Sequence, residues 1–195
     1  MKDTKQREAR LEKLPGLITP HGGYRRLISF QMATLVYDLT VEFVERYVDR
    51  KSRTRDQMVQ AARSGRQNIA EGSQTSGTSK KTEIKLTSVA RSSLEELLLD
   101  YEDYLRQHNL ALWPQNSPEI QAIKKLSRLS NKSCSSYRSY LTQVEPAVNT
   151  LITLIHQTNY LLDKQLLSLE EAFLMNGGFT ERLYKSRIQK RTQNT

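Results

Sequence analysis

Apolar side chains recur every three or four residues through several long stretches of this sequence. The clearest stretch lies in the last third of the chain, where a seven-residue repeat is formed by Tyr137, Leu141, Val144, Val148, Leu151, Ile155, Leu162 and Leu169. Thr158 and Gln165 occupy two further places of the repeat. This spacing puts the apolar side chains on one side of a helix, from which they can pack against a neighbouring helix. The chain is therefore expected to consist of long amphipathic helices packed side by side.

The same reasoning predicts an all-α fold, an up-and-down four-helix bundle with an extra short helix and a C-terminal basic extension. The expected divisions are a mobile N-terminal arm (1–23), the bundle (24–176, with an insertion at about 110–135) and a tail (177–195). Within the bundle, helices are predicted over about 24–48, 52–72, 79–108 and 117–129, followed by the long helix of the seven-residue repeat.

Serine and proline residues indicate where these helices begin. Ser52 or Thr54, Ser79 and Ser117 are suitable N-cap residues, because their hydroxyl oxygens accept hydrogen bonds from free backbone N–H groups. Pro146 leaves the start of the last long helix open between residue 136 and Pro146 itself, since proline is tolerated in a first turn but not in a helix interior.

Small residues are concentrated in the predicted second helix. Met58, Val59, Ala62 and Ile69, with Arg66 or Gln67 between them, give this helix only a thin apolar face. Its small residues are Ala61, Ala62, Ser64 and Gly65. Helices with small surface residues allow neighbouring helices to approach closely, so this helix is expected to pack near another backbone.

The chain is basic, with 30 Lys and Arg against 21 Asp and Glu, a formal charge of +9 and a pI near 9.7. An acidic partner such as RNA or DNA is consistent with this balance. The charged N-terminus has no signal-peptide core, and no apolar run reaches transmembrane length. Cys134 is the single cysteine, which excludes an intramolecular disulfide. A cytoplasmic protein without a membrane partner is expected.

Glycines and histidines are not spaced as known catalytic or cofactor motifs require. Gly65, Gly72 and Gly77 do not match a phosphate-binding loop, and no strand pattern precedes them. None of His21, His108 and His156 has an acid three residues earlier, as a di-metal carboxylate site in a bundle would need.

Cys134 lies among serines with no histidine nearby in the sequence, which gives little support for a nucleophile. An enzymatic site around His156 and Tyr160 has no supporting set of acids, bases or ligands. We therefore expect no catalytic residues, no metal, no cofactor and no enzymatic activity.

Positive charge is concentrated around the end of the first helix and along the second. The candidate phosphate contacts are Arg50, Arg53, Arg55, Arg63, Arg66, Lys80 and Lys81. Arg46 and Lys51 lie in the same stretch, which Asp49 and Asp56 oppose. Two interpretations remain open, namely an ordinary solvated face and a surface that binds phosphates with a steep salt dependence.

One stretch, NIAEGSQTSGTSKKTEIKLTSVARSSLEELLLDYE, resembles the four-helix bundle proteins related to those encoded in intervening sequences of bacterial large-subunit ribosomal RNA genes. The matching residues are Asn68, Ile69, Ala70, Glu71, Gly72, Ser79, Lys80, Lys81, Ser88, Ala90, Arg91, Ser93, Leu94 and Glu96. The resemblance covers about residues 24–108. The later stretches NTLITLIHQ, NYLLDKQ and GGFTERLYKSR look like the subgroup with a C-terminal suffix domain.

This resemblance implies a bundle corner at residues 68–72 and assembly into a five-membered ring. One similar branch, the accessory variability proteins of diversity-generating retroelements, binds nucleic acid and a reverse transcriptase through a basic surface. The resemblance thus implies a homo-oligomer with a possible nucleic-acid or reverse transcriptase partner.

At the implied corner, Asn68 and Glu71 are predicted to end the second helix and to tie it to the third, with Glu71 facing Arg91. Gly72 is predicted to adopt a backbone conformation that a side chain would disfavour.

Two functional hypotheses follow from these patterns. The first is a non-enzymatic, oligomeric nucleic-acid or nucleoprotein accessory that contacts phosphates through its basic surface. The alternative is a structural or protein-interaction module that self-assembles or docks a protein partner without nucleic acid.

Overall fold

The computed structural model describes residues 17–129 and 133–193, and within these ranges it contains helices and no strand. The all-α prediction is confirmed for this part of the chain. The α-helices are α1 (Ile28–Tyr47), α2 (Arg53–Thr75), α3 (Lys80–Gln107), α4 (Pro118–Ser127), α5 (Val144–Asn176) and α6 (Phe179–Gln193). Short 3₁₀ turns cover Tyr24–Arg26, Cys134–Tyr137 and Tyr140–Thr142.

Residues 1–16 of the predicted N-terminal arm lie outside the described residues. The following segment, residues 17–23, contacts the connection between α2 and α3. The Gly22 N–H donates to the Ser73 carbonyl at 2.9 Å, and a Cβ added at Gly77 would lie 2.7 Å from His21 Nδ1. The residues that lead into α1 are therefore held against the α2–α3 connection.

The predicted N-cap serines are confirmed by their hydrogen bonds, whereas the first helix begins at Ile28, after the 3₁₀ turn, and not at about residue 24. Ser52 Oγ accepts from Thr54 N at 3.3 Å, Ser79 Oγ accepts from Thr82 N at 3.2 Å, and Ser117 caps α4 in the same way. These bonds satisfy N–H groups that the first turn of a helix leaves without a partner.

The last long helix, α5, begins at Val144. Pro146 therefore lies in its first turn, where the missing N–H group of proline breaks no helical hydrogen bond. The longer alternative places the start of this helix near residue 136, where the chain instead forms the 3₁₀ turns Cys134–Tyr137 and Tyr140–Thr142.

The predicted corner at residues 68–72 is wrong, because α2 continues without interruption to Thr75. Asn68 and Glu71 lie inside the helix, and Asn68 Nδ2 donates to the Ser64 carbonyl one turn earlier at 2.9 Å. Gly72 is helical as well and is not among the described glycines with positive φ. The actual corner is the turn at residues 76–79, whose N–H groups at positions 78 and 79 donate to the Thr75 carbonyl.

The predicted contact between Glu71 and Arg91 is also wrong. The Arg91 guanidinium reaches across to α5, where its Nε donates to Asp163 Oδ1 at 2.5 Å, and its Nη1 lies 3.5 Å from Glu95 on its own helix. Glu71 is exposed on α2. Arg91 therefore connects α3 to α5 rather than to the end of α2.

The close approach expected for the small residues of the second helix is confirmed. A Cβ added at Gly65 would lie 2.7 Å from both Cγ and Cδ2 of Leu94, and one at Gly72 would lie 3.3 Å from the Glu83 carbonyl oxygen. Both glycines are buried against α3. Their function is to let two helices pack closely, and it requires no unusual backbone conformation.

The four long helices contact one another in a closed cycle, in which α1 and α3 each pack against both α2 and α5. The core between them is apolar, apart from a few buried hydroxyl and amide groups. Tyr101 of α3 is fully buried, and its hydroxyl donates to Thr40 Oγ1 of α1 at 3.0 Å. This hydrogen bond satisfies a polar group that would otherwise be costly to bury.

The segment between α3 and α5 is anchored to the start of α5. The Trp113 indole N–H donates to Glu145 Oε1 at 2.9 Å, and its backbone N–H donates to Asn149 Oδ1 at 2.8 Å. The short helix α4 packs on α5 with Ile120 and Ile123 buried. This part of the predicted insertion therefore belongs to the packed structure.

The C-terminal part of the chain leaves the core. The last buried residue of α5 is Leu162, and α6 has no buried residue. The two helices meet at Gly177, whose φ of +66° is rarely adopted by residues with side chains. Across the described ranges, no helix combines the length and the apolar character that a membrane span requires.

Candidate nucleic-acid interface

A group of exposed positive charges lies where the connection after α1 enters α2. Arg50, Lys51 and Arg53 are all exposed there, and none of them forms an ion pair with a described residue. Asp49 is the one acid in this turn, where its Oδ1 accepts from the Lys51 N–H at 2.9 Å. We call Arg50, Lys51 and Arg53 the basic corner.

The basic corner is held in place by contacts at the end of α1. The Tyr47 hydroxyl and Arg46 Nη1 both donate to the Leu141 carbonyl, at 2.8 and 3.0 Å. The Tyr104 hydroxyl of α3 donates to the Tyr47 carbonyl at 3.1 Å. Arg46 also forms an ion pair with Glu42. The charged turn is thus supported by α3 and by the residues that precede α5.

Arg55 and Arg66 lie along the side of α2 that faces α1, and both are half-buried. The Arg66 guanidinium lies 4.3 Å from the centroid of the Tyr37 ring on α1, in a cation–π contact. Nη1 of Arg55 is buried with no hydrogen-bond partner among the described residues. These two side chains are therefore less available to a ligand than the basic corner is.

Arg63 is exposed near the middle of α2 and forms no ion pair with the described part of the chain. It lies ten residues beyond Arg53, or about 15 Å along the helix at 1.5 Å per residue. It can therefore extend a positive surface that begins at the basic corner.

Lys80 and Lys81 are far from the basic corner. They follow α2, whose 23 residues span about 34 Å. Lys80 Nζ lies 2.7 Å from Glu83 Oε2 in an ion pair, whereas Lys81 is exposed. The structure therefore does not bring the seven predicted phosphate contacts together, and the length of α2 separates this pair from Arg50 and Arg53.

A second basic surface, which the sequence analysis did not identify, lines a groove of about 580 Å³ between α1, α4 and α5. Lys124, Arg128 and His156 contribute its polar wall, and Ile28 and Tyr160 its apolar rim. No described carboxylate lines it. The sequence contains one signal for this surface, the group of cations at the end of α4, but only the packing of α4 on α5 places them beside Tyr160.

Carboxylates are grouped on the outer face of α3. Glu96, Asp100 and Asp103 follow one another at helical spacing, so they share one side of the helix. Burial, followed by repulsion from Glu96 and Asp103, raises the pKa of Asp100 above its ordinary value. We call these three residues and Leu99 the acidic face.

The raised pKa of Asp100 has a consequence for stability. The folded protein binds the proton of the Asp100 carboxyl group more tightly than the unfolded chain does. The contribution of this group to the free energy of unfolding is therefore fully present at low pH and is lost as the pH rises through the raised pKa. We expect Asp100→Asn to increase the free energy of unfolding at pH 7, with the difference vanishing below about pH 4, near the ordinary carboxyl pKa. Urea denaturation at both pH values measures this, with the exposed Glu170→Gln as control. A less stable Asn variant at pH 7 would contradict the assignment.

Cys134 lacks the surroundings of a nucleophile. Its Sγ lies 3.8 Å from Asp38 Oδ2, and burial together with the nearby Asp38 carboxylate raises the pKa of the thiol. A raised pKa lowers the thiolate fraction that a nucleophile requires. In the part of the chain that the structure describes, no group of three His, Cys, Asp or Glu side chains could hold a metal ion.

No family model, curated protein or solved structure matches this chain. The function proposed below therefore depends on the sequence features and on the geometry of the charged surfaces.

Proposed function

We propose that this protein is a non-enzymatic, oligomeric helical-bundle protein that binds nucleic acid through the basic corner and the exposed arginines of α2. The observation that carries the proposal is three exposed cations, Arg50, Lys51 and Arg53, at a corner fixed by hydrogen bonds and with no ion-pair partner among the described residues. Phosphate contacts of this kind fix position along a nucleic acid but do not read its sequence. Arg50 and Arg53 would contact phosphates first, and Arg63 would extend the contact along α2.

We also propose the up-and-down arrangement of the four long helices. Ser29 at the start of α1 donates to Gln165 late in α5 at 2.7 Å, which supports an antiparallel pair. Tyr104 and Tyr47, near the ends of α3 and α1, are hydrogen-bonded, which supports a parallel pair. The four-residue connection at 76–79 supports an antiparallel α2–α3 pair. The five-membered ring and the reverse transcriptase partner implied by the family resemblance belong to the same proposal.

Charge reversal tests the nucleic-acid site. We expect Arg50→Glu combined with Arg53→Glu to weaken binding of a labelled single-stranded RNA or a DNA duplex by about tenfold or more at low salt. The slope of log affinity against log salt is expected to become shallower by about two, one for each lost phosphate contact. Fluorescence anisotropy at several salt concentrations measures both quantities.

The matched control reverses two charges elsewhere, as Lys85→Glu combined with Lys164→Glu, and changes the net charge by the same amount. If this control weakens binding as much as the corner variant does, the affinity reflects net charge alone and the proposed site is wrong. Absence of binding by the unmodified protein at low salt would also reject the proposal.

The alternative, a protein-interaction module without nucleic acid, is favoured by a different observation. Exposed apolar residues follow the last buried residue of α5, with Leu167 and Leu174 at 55% and 75% exposure. Runs of exposed apolar side chains are typical of surfaces that another protein covers. The alternative predicts self-association together with no measurable affinity for RNA or DNA, so mass measurement combined with anisotropy distinguishes it.

A further inference from the structure

Helix α6 carries a side that no described part of the chain covers. Tyr184 and Ile188, four residues apart, are 67% and 44% exposed, and the half-buried Leu183 lines the same groove of this helix. Arg187 lies on the same side and Lys190 flanks it, and both are exposed. We call this set of five residues the tail face. It is both apolar and basic.

A helix of this length requires a surface to pack on. α6 has 15 residues, and isolated helices of about 12–15 residues are marginally stable in water, because helical stability in proteins comes mainly from packing of an apolar side. The described part of the bundle buries no residue of α6 completely, and the buried guanidinium nitrogens Nε and Nη2 of Arg182 belong to a side of the helix other than the tail face. The tail face therefore indicates a partner.

The acidic face of α3 has the complementary properties. Glu96, Leu99, Asp100 and Asp103 lie at positions i, i+3, i+4 and i+7, which is one side of a helix. Leu99 is 57% exposed in the midst of the three carboxylates. Asp103 is paired with Arg106 of the same helix at 2.7 Å, whereas Glu96 and Asp100 form no ion pair with a described residue. An apolar residue beside these acids matches apolar residues accompanied by cations, both in surface character and in sign of charge. Burial is the main cause of the raised pKa of Asp100, and repulsion from Glu96 and Asp103 adds to it; a nearby cation would offset that repulsion.

The tail face cannot reach Leu99 in its own chain. Arg91 contacts Asp163 and Asn159 contacts Glu95, so α3 and α5 run in opposite directions. Asn176 lies 13 residues after Asp163, which is about 20 Å along α5 towards the start of α3. Leu99 lies eight residues after Arg91, which is about 12 Å along α3 in the opposite direction. The separation of about 32 Å exceeds the roughly 22 Å that α6 spans, even with the two connecting residues at about 3.5 Å each.

We propose that the tail face of one copy of this protein docks on the acidic face of a second copy. Leu183, Tyr184 and Ile188 would cover Leu99, while Arg187 and Lys190 would lie beside the carboxylates of Glu96 and Asp103. This inference rests on the self-association included in the proposed function and names the two surfaces involved. Because the tail face and the acidic face are different surfaces, the contact between two copies is heterologous. Heterologous contacts close into rings when the rotation between neighbouring subunits permits it.

Exchange of charges between the two faces tests this contact in the full-length protein. We expect Arg187→Glu with Lys190→Glu, and separately Glu96→Lys with Asp103→Lys, each to raise the dissociation constant for self-association by about tenfold or more. Combining all four changes restores opposite charges and is expected to recover most of the affinity. Sedimentation velocity over a concentration series provides the constants, and circular dichroism checks that each variant is folded.

An apolar variant provides a second measurement. Ile188→Asp is expected to favour the monomer, whereas the control Leu112→Asp, which changes a 57% exposed residue between α3 and α4, is expected to leave the mass unchanged. The proposal is overturned if the unmodified protein is monomeric, or if the variant that carries all four charge changes does not recover self-association. It is also overturned if the two apolar variants have the same oligomeric mass.

The same variants distinguish this proposal from the nucleic-acid site. Arg53 shares a groove with Glu96 of the acidic face, so the test uses the other two residues of the basic corner. Arg50→Glu with Lys51→Glu is expected to keep the oligomeric mass and to lose affinity for nucleic acid. If charge reversal on α6 instead abolishes nucleic-acid binding while leaving the mass unchanged, the tail face is a nucleic-acid surface and the docking proposal is wrong.

Discussion

Phe43→Ala is expected to lower the free energy of unfolding by about 3–5 kcal/mol, the range for removing a large aromatic side chain from a well-packed core. Phe43 is fully buried in α1. Its ring centroid lies 5.1 and 5.2 Å from those of Tyr101 and Tyr104 on α3, in edge-to-face geometry. The substitution removes both contacts and leaves a cavity between two long helices. Urea denaturation followed by circular dichroism measures the loss.

A graded series tests the origin of this effect. Phe43→Leu retains most of the volume and is expected to cost less than the alanine variant. Leu112→Ala, at a position that is 57% exposed, is expected to change stability by less than about 0.5 kcal/mol. A cost for Phe43→Ala as small as that of the exposed control would mean that α1 and α3 do not share this core.

The second large effect is expected at Gly65, where the distance between α2 and α3 leaves no room for a side chain. Alanine is the better helix former by about 1 kcal/mol. Its Cβ, however, would lie 2.7 Å from Cγ and Cδ2 of Leu94, which is fully buried and cannot easily move aside. We expect Gly65→Ala to be destabilising by about 1–3 kcal/mol, as is usual for an overpacked core. Chemical denaturation determines the sign directly.

A double-mutant cycle with Leu94 isolates the steric conflict. Leu94→Ala alone creates a cavity, and in combination with Gly65→Ala the new methyl group occupies part of it. The two costs should therefore be less than additive, because the side chains are in contact. Gln60→Ala, on the exposed side of the same helix, serves as the control. Additive costs, or a Gly65→Ala variant more stable than the original, would contradict the close packing.

Local sequence signals predicted most of the helices, because their physical causes act within a few residues. Ser79 and Ser117 cap the helices that they were expected to begin, since a capping hydrogen bond joins atoms three residues apart. Pro146 limited the start of α5 to two alternatives, and the structure selects the later one. The seven-residue repeat similarly predicted which side of α5 would be buried.

The corner at residues 68–72 was mispredicted because a glycine has two different uses in helical proteins. Gly72 was interpreted as a helix end, where glycine adopts backbone conformations that other residues avoid. In the structure it lies inside α2 and permits contact with the Glu83 carbonyl. Only the position of α3 distinguishes these uses, and a single sequence does not contain that information.

The candidate site was predicted in part for a related reason. Arg50 and Arg53 are close in the sequence, which predicts that they share one surface, and both lie at the basic corner in the structure. Lys80 was assigned to the same surface, although a helix of about 34 Å separates it from them and Glu83 pairs with it. The surface around Lys124 and Tyr160 joins α4 to α5, so no local pattern could have indicated it.

The hydrogen bonds at the end of α1 have a consequence for how firmly this protein could bind a polyanion. Because Tyr47 is tied to Leu141 and to Tyr104, the backbone that carries Arg50 is preorganised before any ligand arrives. Association would then lose little chain entropy on ordering the loop, and only the arginine side chains themselves would need to be immobilised. Tyr47→Phe is therefore expected to weaken binding of a polyanion at the basic corner, although the Tyr47 side chain itself would not contact the ligand.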